Sequence, residues 1–320
     1  MTDSQAVAEV RRAVRTLLDE YEPASGVLAV AVSGGADSLA LAAATAQLAA
    51  RRGLTLHGLV VDHQLQPGSA DVAGRAAKQL RALGFPEVRV LEVDVRGPGG
   101  VEAAARRARY AALREALPAP DSLVLLGHTR DDQAETVLLG LGRGSGARSI
   151  AGMRRLDPPW ARPLLDVPRA VTAAACADLG LDPWQDPHNA DPGFARARLR
   201  HEVLPLLEDV LQGGVAHALA RTAAQLREDA DALDAIAAEV RERAGKEGEL
   251  DVAEMAGEPP AVRRRVLRRW LLDTGVAELT DAHLRAVDAL IGEWRGQGGV
   301  WLPGGLEVSR AHGRLSARQR

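Results

Sequence analysis

The chain has 320 residues, 46% of them hydrophobic but only 3% aromatic, and 40 Lys plus Arg stand against 43 Asp plus Glu for a formal charge of −3. That length suits two domains of roughly 150 residues, and the balanced charge excludes a uniformly basic nucleic-acid binder, so any such surface must be local. A single cysteine, Cys176, excludes intrachain disulfides and Cys-x-x-Cys metal or redox sites.

In chain order, the opening Met-Thr-Asp-Ser-Gln-Ala has no basic region followed by an apolar stretch, and no apolar run reaches the about 18 residues of a membrane span. A cytoplasmic protein with no membrane segment is therefore expected. Strand-like runs at Val27–Val32, Leu54–Val61, Val88–Val93 and Leu123–Leu126 alternate with amphipathic helical stretches near Ser38–Arg52, Ala70–Leu83, Val101–Leu117 and Asp132–Gly140. Near-continuous apolar strands with such crossovers predict an α/β fold, a parallel sheet with helices on both faces. Ligands collect at the carboxyl ends of such strands. After Leu211 the pattern changes to helices near Val215–Arg243, Ala261–Leu272 and Thr280–Gly292, closed by a hairpin over Gly299–Arg310 with Gly304-Gly305 as its turn. The expected organisation is a catalytic domain over 1–212 and a smaller, mostly helical domain over 213–320.

The first strand runs into Ser33-Gly34-Gly35-Ala36-Asp37-Ser38. Two glycines allow close backbone approach, the backbone N–H groups and helix dipole attract an anion, and both hydroxyls can donate to phosphate oxygens. No Lys follows the glycines, and the third Gly of a dinucleotide motif is missing. Asp37 takes that place, and a carboxylate beside a triphosphate asks for Mg²⁺ between them. The alternative is a plain solvated helix cap. At the second strand end, Asp62-His63 stands where the base and ribose would lie. At the fourth, Gly127-His128-Thr129-Arg130-Asp131-Asp132-Gln133-Ala134-Glu135-Thr136 opens a helix with Asp132 and Glu135 on one face, a pair suited to an ammonium or a metal.

The SGGADS loop resembles that of the ATP-pyrophosphatase superfamily. With VDHQLQ, the Glu102–Tyr110 helix bearing Arg106 and Arg109, the GHTRDDQAETVLLGLGRGSG block at Gly127–Gly146, Arg162-Pro163-Leu164-Leu165 and the Trp184–Pro205 stretch, it resembles the tRNA(Ile)-lysidine synthetase family, short form, over about residues 25 to 210. The family often has Arg at Gln66, His at Thr129 and an Arg-Asn pair at Arg196-Ala197. The resemblance implies an adenine nucleotide alpha hydrolase-like fold and a ligase: ATP adenylylates C2 of the wobble cytidine of a CAU-anticodon tRNA(Ile), pyrophosphate leaves, and L-lysine displaces AMP. It implies ATP binding by Ser33, Gly34, Gly35, Ala36, Asp37, Ser38, Asp62 and His63, with Mg²⁺ on Asp37. Catalysis would fall to Asp37, Arg106, His128, Asp132 and Glu135, and lysine binding to Asp132 and Glu135.

Two basic stretches, Arg196, Arg198 and Arg200, and the helix carrying Arg264, Arg265 and Arg268, are candidates for tRNA contact, the alternative being solvated faces. A homodimer is compatible with the sequence. Rival readings are a tRNA-thiolating relative, which would need paired cysteines, and a non-catalytic ATP-sensing module, which would need neither Asp37 nor the Asp132/Glu135 pair.

Overall fold

The computed structural model describes residues 4–98, 100–144, 146–245, 248–276 and 278–319. Ser145, within the glycine-rich run that follows the carboxylate block, lies outside them. Two compact units divide the chain: residues up to 143 with 152–223, and 144–151 with 224 onward. The expected boundary at 212/213 falls before the helix Val215–Ala244, whereas the units part at 223/224, within it.

The first unit opens with α1 (Gln5–Glu20), a helix not expected from the sequence. Its start is set by Ser4, whose hydroxyl accepts the Val7 N–H at 3.2 Å. Val7, Val10, Val14, Leu17 and Leu18 recur at helical spacing and are buried. Strands and helices then alternate as β1 (Val27–Ala31), α2 (Ala36–Arg52), β2 (Thr55–Asp62), α3 (Ser69–Ala82), β3 (Glu87–Glu92), α4 (Gly100–Glu115), β4 (Leu123–Leu126) and α5 (Arg130–Gly142). Two short strands, β5 (Leu156–Asp157) and β6 (Trp160–Ala161), and α6 (Arg169–Asp178) follow.

The sheet order is β3-β2-β1-β4-β6-β5. All pairings are parallel except β5 with β6, so the expected parallel sheet carries one antiparallel edge. Alternation along the strands divides the core. Leu28, Val30, Leu56, Val60, Leu123 and Leu125 pack beneath α1, α2, α3 and α6, while Ala29, Ala31, Leu59, Val124, Leu126 and Trp160 meet Leu113 and Ala116 beside α4. From β1 the chain first builds outward to β2 and β3, then returns to place β4 on the opposite flank of β1. That reversal leaves a crevice beyond the carboxyl ends of β1 and its neighbours.

Helical turns Ala195–Arg198, Leu199–Val203 and Leu204–Val210 run on without a break, the middle one a π turn. Pro205 has no N–H to return to the preceding turn, which accounts for the wider winding there. Leu204 packs with Ala134 of α5 and Val215.

In the second unit lie the end of α7 (Val215–Ala244), α8 (Pro260–Asp273) and α9 (Asp281–Gly292), and the strands β7 (Glu249–Asp251), β8 (Val300–Leu302), β9 (Leu306–Ala311) and β10 (Arg314–Gln319). Helices predominate, but the expected hairpin, β8–β9, belongs to a four-stranded antiparallel sheet ordered β7-β10-β9-β8. Trp270 is fully buried at its centre, its indole N–H donating to the Gly248 carbonyl at 2.9 Å. Among the described residues no helix is long and apolar enough to cross a membrane.

Candidate active site

The loop between β1 and α2 is held from within. The Ser33 N–H donates to Ser38 Oγ at 3.2 Å, the Ser38 hydroxyl donates to the Gly35 carbonyl at 2.9 Å, and the Gly35 N–H approaches Ser33 Oγ at 3.4 Å. Gly34 takes φ +86°, which a side chain would strain. Gly127, at the end of β4, packs so closely that a Cβ there would lie 3.0 Å from the backbone N and Cα of Ser38. On the outer side the Trp184 N–H donates to the Gly34 carbonyl at 2.9 Å. Ala36 begins α2, and its carbonyl accepts the Cys176 thiol at 3.2 Å. Burial pushes that thiol up to about 11, which marks Cys176 as an inert core residue.

One side of the loop opens on a cavity of about 690 Å³, lined among others by Ser33, Gly35, Asp62, His63, Arg109 and Trp184. Its size suits a nucleotide. Asp62 is buried and accepts the Gln64 N–H at 2.9 Å. Burial lowers the His63 imidazole below its ordinary value, with the Arg109 charge adding to the effect. At the rim, Gln66 Nε2 donates to Asp186 at 3.1 Å and meets His188 Nδ1 at 2.5 Å, so this departure from the family ties the 186–188 segment over the cavity.

The other side of the loop faces an ionic cluster. Glu135 has no exposed side-chain surface, and Arg200 Nε donates to its Oε1 at 2.8 Å. Arg169 bridges three carboxylates: Asp132 at 2.6 Å, Asp37 at 3.4 Å and Glu135 at 3.5 Å. Asp132 also caps α5, its Oδ2 accepting the Thr129 N–H and hydroxyl at 2.8 and 2.9 Å. Thr129, the second family departure, is thus buried as one half of a capping box. Burial alone would raise Asp132, but Arg169, the Thr129 N–H and Arg200 outweigh it and hold the carboxyl below its ordinary value. Asp37 goes the other way: burial dominates and raises it, although the Thr172 hydroxyl donates to Oδ1 and Arg169 stands near.

The expected residues thus divide between the cavity and the cluster. Ser33, Gly35, Asp62 and His63 line the cavity, while Asp37, Asp132 and Glu135 meet on the far side of the loop. His128 lies at the end of β4, and burial pushes it down to about 3, so it is neutral. Arg106 is exposed on α4 with its guanidinium 4.8 Å over the Tyr110 ring. Of the first basic stretch, Arg200 is turned onto Glu135, Arg196 Nε lies 3.3 Å from Glu102, and exposed Arg198 pairs with Glu202 at 3.0 Å. Ala197, the third departure, is buried in that turn. Arg169 and Thr172 were not singled out from the sequence. Their one signal was Pro168, a helix-opening residue shortly after the RPLL motif.

In the second unit, Arg265 pairs with Asp234 at 2.8 Å, and Arg263 is bidentate on Asp288 at 2.7 and 3.2 Å. Arg264 Nε caps the Pro260 carbonyl, and Arg268 lies one turn further on the same face of α8.

A glycine-rich loop at the switch in strand order, a nucleotide-sized cavity and a carboxylate cluster beside it are the features of an ATP-using α/β enzyme. Residues 7–207 match the PP-loop domain family, and residues 250–316 match the TilS substrate binding domain. The chain belongs to the tRNA(Ile)-lysidine synthase family and is a ligase forming a carbon–nitrogen bond. Relatives of that name include those of Rhodococcus jostii, 58% identical over 99% of this chain and 97% of the relative, and Nocardia farcinica, 58% identical over 97% and 98%. Another, from Mycobacterium tuberculosis, is 57% identical over 94% and 92%. The fold is shared with the solved U34-tRNA thiolase NcsA from Methanococcus maripaludis with its 4Fe–4S cluster, at a TM-score of 0.56 and 19% identity, covering 70% of this chain and 80% of that one.

Proposed function

We propose that the chain joins L-lysine to C2 of the wobble cytidine of CAU-anticodon tRNA(Ile) at the expense of ATP. The observation that carries this reading is the position of the Ser33–Ser38 loop, with a nucleotide-sized cavity on one side and the Asp37, Asp132 and Glu135 carboxylates on the other. Two half-reactions need that arrangement. In the first, the cytidine C2 oxygen attacks the α-phosphorus, and the α–β bridging bond breaks with its electron pair leaving on pyrophosphate. In the second, the ε-amine nitrogen bonds to C2 and the C2–O bond breaks, releasing AMP.

Free lysine is an ammonium of pKa about 10.4, and baring its amine at neutral pH costs roughly 4–5 kcal/mol. Asp132 and Glu135 supply the charge to bind that cation and an acceptor for its proton. The guanidiniums of Arg169 and Arg200 hold the same oxygens, so the ammonium would share them or take the place of one guanidinium. Ser33, Gly34, Gly35, Ala36 and Ser38 hold the phosphates, Asp62 and His63 the nucleoside side. His128, neutral, contacts the activated base or orients its loop. Arg106 meets the nucleotide or tRNA from the surface of α4.

Mg²⁺ takes one or two carboxylates together with phosphate oxygens and water. A carboxylate beside the loop, held by the neutral Thr172 hydroxyl and a 3.4 Å contact to Arg169, fits that demand, and Asp37 would hold the ion. It would offset charge on the departing pyrophosphate. Arg264, Arg265 and Arg268, with Arg196, Arg198 and Arg200, are the proposed tRNA contacts, and the protein acts in the cytoplasm.

The thiolase alternative needs sulfur carriers, and Cys176 is alone and buried. The test is pyrophosphate release and radiolabelled lysine transfer by the purified chain, with CAU-anticodon tRNA(Ile) and a methionine tRNA of the same anticodon as control. Lysine incorporated only into the isoleucine tRNA, with equimolar AMP, establishes the activity. Turnover without incorporation refutes lysine as the nucleophile.

A further inference from the structure

We infer that Arg148 binds a phosphodiester of the tRNA's anticodon arm, a few nucleotides from the base that reacts. The inference rests on the tRNA-modifying reading above and names a contact between the RNA and the chain just beyond the carboxylate helix.

The helical turn Ala147–Ile150 follows shortly after α5, and residues 141–144 and 146–148 are exposed. Within the second unit, which includes this turn, Arg148 Nη2 donates to Asp234 Oδ1 of α7 at 2.5 Å, and Arg265 Nε of α8 donates to the same oxygen at 2.8 Å. Arg265 also donates to the Ala261 carbonyl at 3.1 Å, and its side chain is 18% exposed. Arg148 has no second partner among the described residues and is 45% exposed. Asp231, one turn before Asp234 on α7, is engaged in an interaction of its own. Two guanidiniums thus share one carboxylate, and the charge left over is presented to solvent at Arg148. Arg268, which makes no hydrogen bond or ion pair among the described residues, follows one turn after Arg265 on α8 and extends the basic surface.

An exposed ion pair of this kind is worth about 0–1 kcal/mol. A phosphate, whose oxygens match the guanidinium fork, competes with it for Arg148. Which part of the RNA supplies that phosphate follows from the chain. Beyond Arg148 the backbone runs to Met153, whose N–H donates to Gln133 Oε1 at 2.7 Å and whose carbonyl accepts Gln133 Nε2 at 3.0 Å. Gln133 is the neighbour of Asp132 in the first turn of α5. Even fully extended, the connection from Arg148 to Met153 spans at most about 18 Å. Arg148 is therefore leashed to a residue fixed on the carboxylate helix. With the reacting base beside Asp132 and Glu135, the phosphates within its reach are those of neighbouring nucleotides in the anticodon arm. The acceptor arm, at the far end of a tRNA, is out of reach.

The probes are hairpin RNAs of the isoleucine tRNA's anticodon arm and of its acceptor arm, titrated into the full chain over a range of salt. Arg148→Ala is expected to weaken the anticodon hairpin about tenfold and to flatten its logarithmic salt dependence by about 0.7–0.9. The acceptor hairpin should change less than about twofold. Asp234→Asn frees both guanidiniums and should act in the opposite direction, tightening the anticodon hairpin and steepening its slope. If the ion pair only held the fold, both changes would weaken binding. In lysine transfer with whole tRNA, Arg148→Ala should raise KM for tRNA and leave kcat within about twofold. Arg243→Ala, an exposed change on α7 at a residue paired with Glu254 and Glu258, controls for net charge. No wild-type binding of the anticodon hairpin, an unchanged affinity and slope in Arg148→Ala, weaker binding by Asp234→Asn, or an equal loss in Arg243→Ala would each overturn the inference. If the wild type binds the anticodon hairpin but transfers no lysine, the functional reading fails, while the hairpin comparison still decides whether Arg148 touches RNA.

Discussion

Asp37 is desolvated at the start of α2, and the Thr172 hydroxyl and Arg169 offset only part of that cost, so its carboxyl titrates above its ordinary 3.8. A raised carboxyl favours the neutral form in the folded state. Its penalty is therefore present at neutral pH, shrinks as pH falls through the folded value and vanishes below the unfolded one. Asp37→Asn is accordingly expected to abolish pyrophosphate release yet raise stability by about 1 kcal/mol at pH 7. The difference in melting temperature from the wild type should close below about pH 4; a variant less stable at pH 7 would refute this. Glu135 presents the opposite case. It is fully buried and accepts from Arg200 and Arg169, so Glu135→Ala leaves two half-buried guanidiniums with only Asp132 and the 3.4 Å contact of Arg169 to Asp37. A loss of about 2–3 kcal/mol in urea unfolding is expected, with lysine transfer lost and adenylylation retained. Glu135 was recognisable in the sequence by its place three residues after Asp132. Its arginine partners were not, because they come from residues 34 and 65 positions away along the chain.

Elements rather than single residues set the shape of the Ser33–Ser38 loop. β4 ends in Gly127, which lies against the loop backbone at Asp37 and Ser38, so β4 and the start of α2 approach more closely than a side chain permits. Gly127→Ala would have to push that backbone away by several tenths of an ångström. The expected result is a destabilisation of about 1–3 kcal/mol and a weakened affinity for ATP measured by equilibrium binding; unchanged ATP affinity would show that the loop yields without consequence. The elements around this contact were legible in the sequence, since β1 and β4 are uninterrupted apolar runs, β2 carries the apolar stretch Leu59-Val60-Val61, and α2 to α4 are amphipathic. α1 and α6 were not assigned. The π turn at Leu199–Val203 has only Pro205 as a sequence mark, yet it brings Arg200 onto Glu135 while Arg198 points to Glu202.

For the whole molecule, each unit has its own apolar core, one under the six-stranded sheet and one around Trp270. The basic helix α8 serves its own unit in part: Arg263 and Arg265 are tied to Asp288 and Asp234. Arg264 and Arg268, one turn apart, are the better candidates for RNA phosphate. Replacing both by Ala should weaken tRNA binding and flatten its dependence on salt by about 0.9 in logarithmic slope for each phosphate no longer neutralised. Arg263→Ala should instead lower the unfolding midpoint and leave the slope unchanged. The reverse pattern would assign RNA contact to the paired arginines. Local structure was determined by the sequence alone: the alternation of strands and helices, the glycine-rich Ser33–Ser38 loop and the carboxylate pair each depend on residues within a few positions of one another. The tertiary structure alone decided how these pieces are electrically completed. Arg169 and Arg200 reach the site from separate helical segments, and which carboxylate a guanidinium neutralises follows from where the packed helices place it.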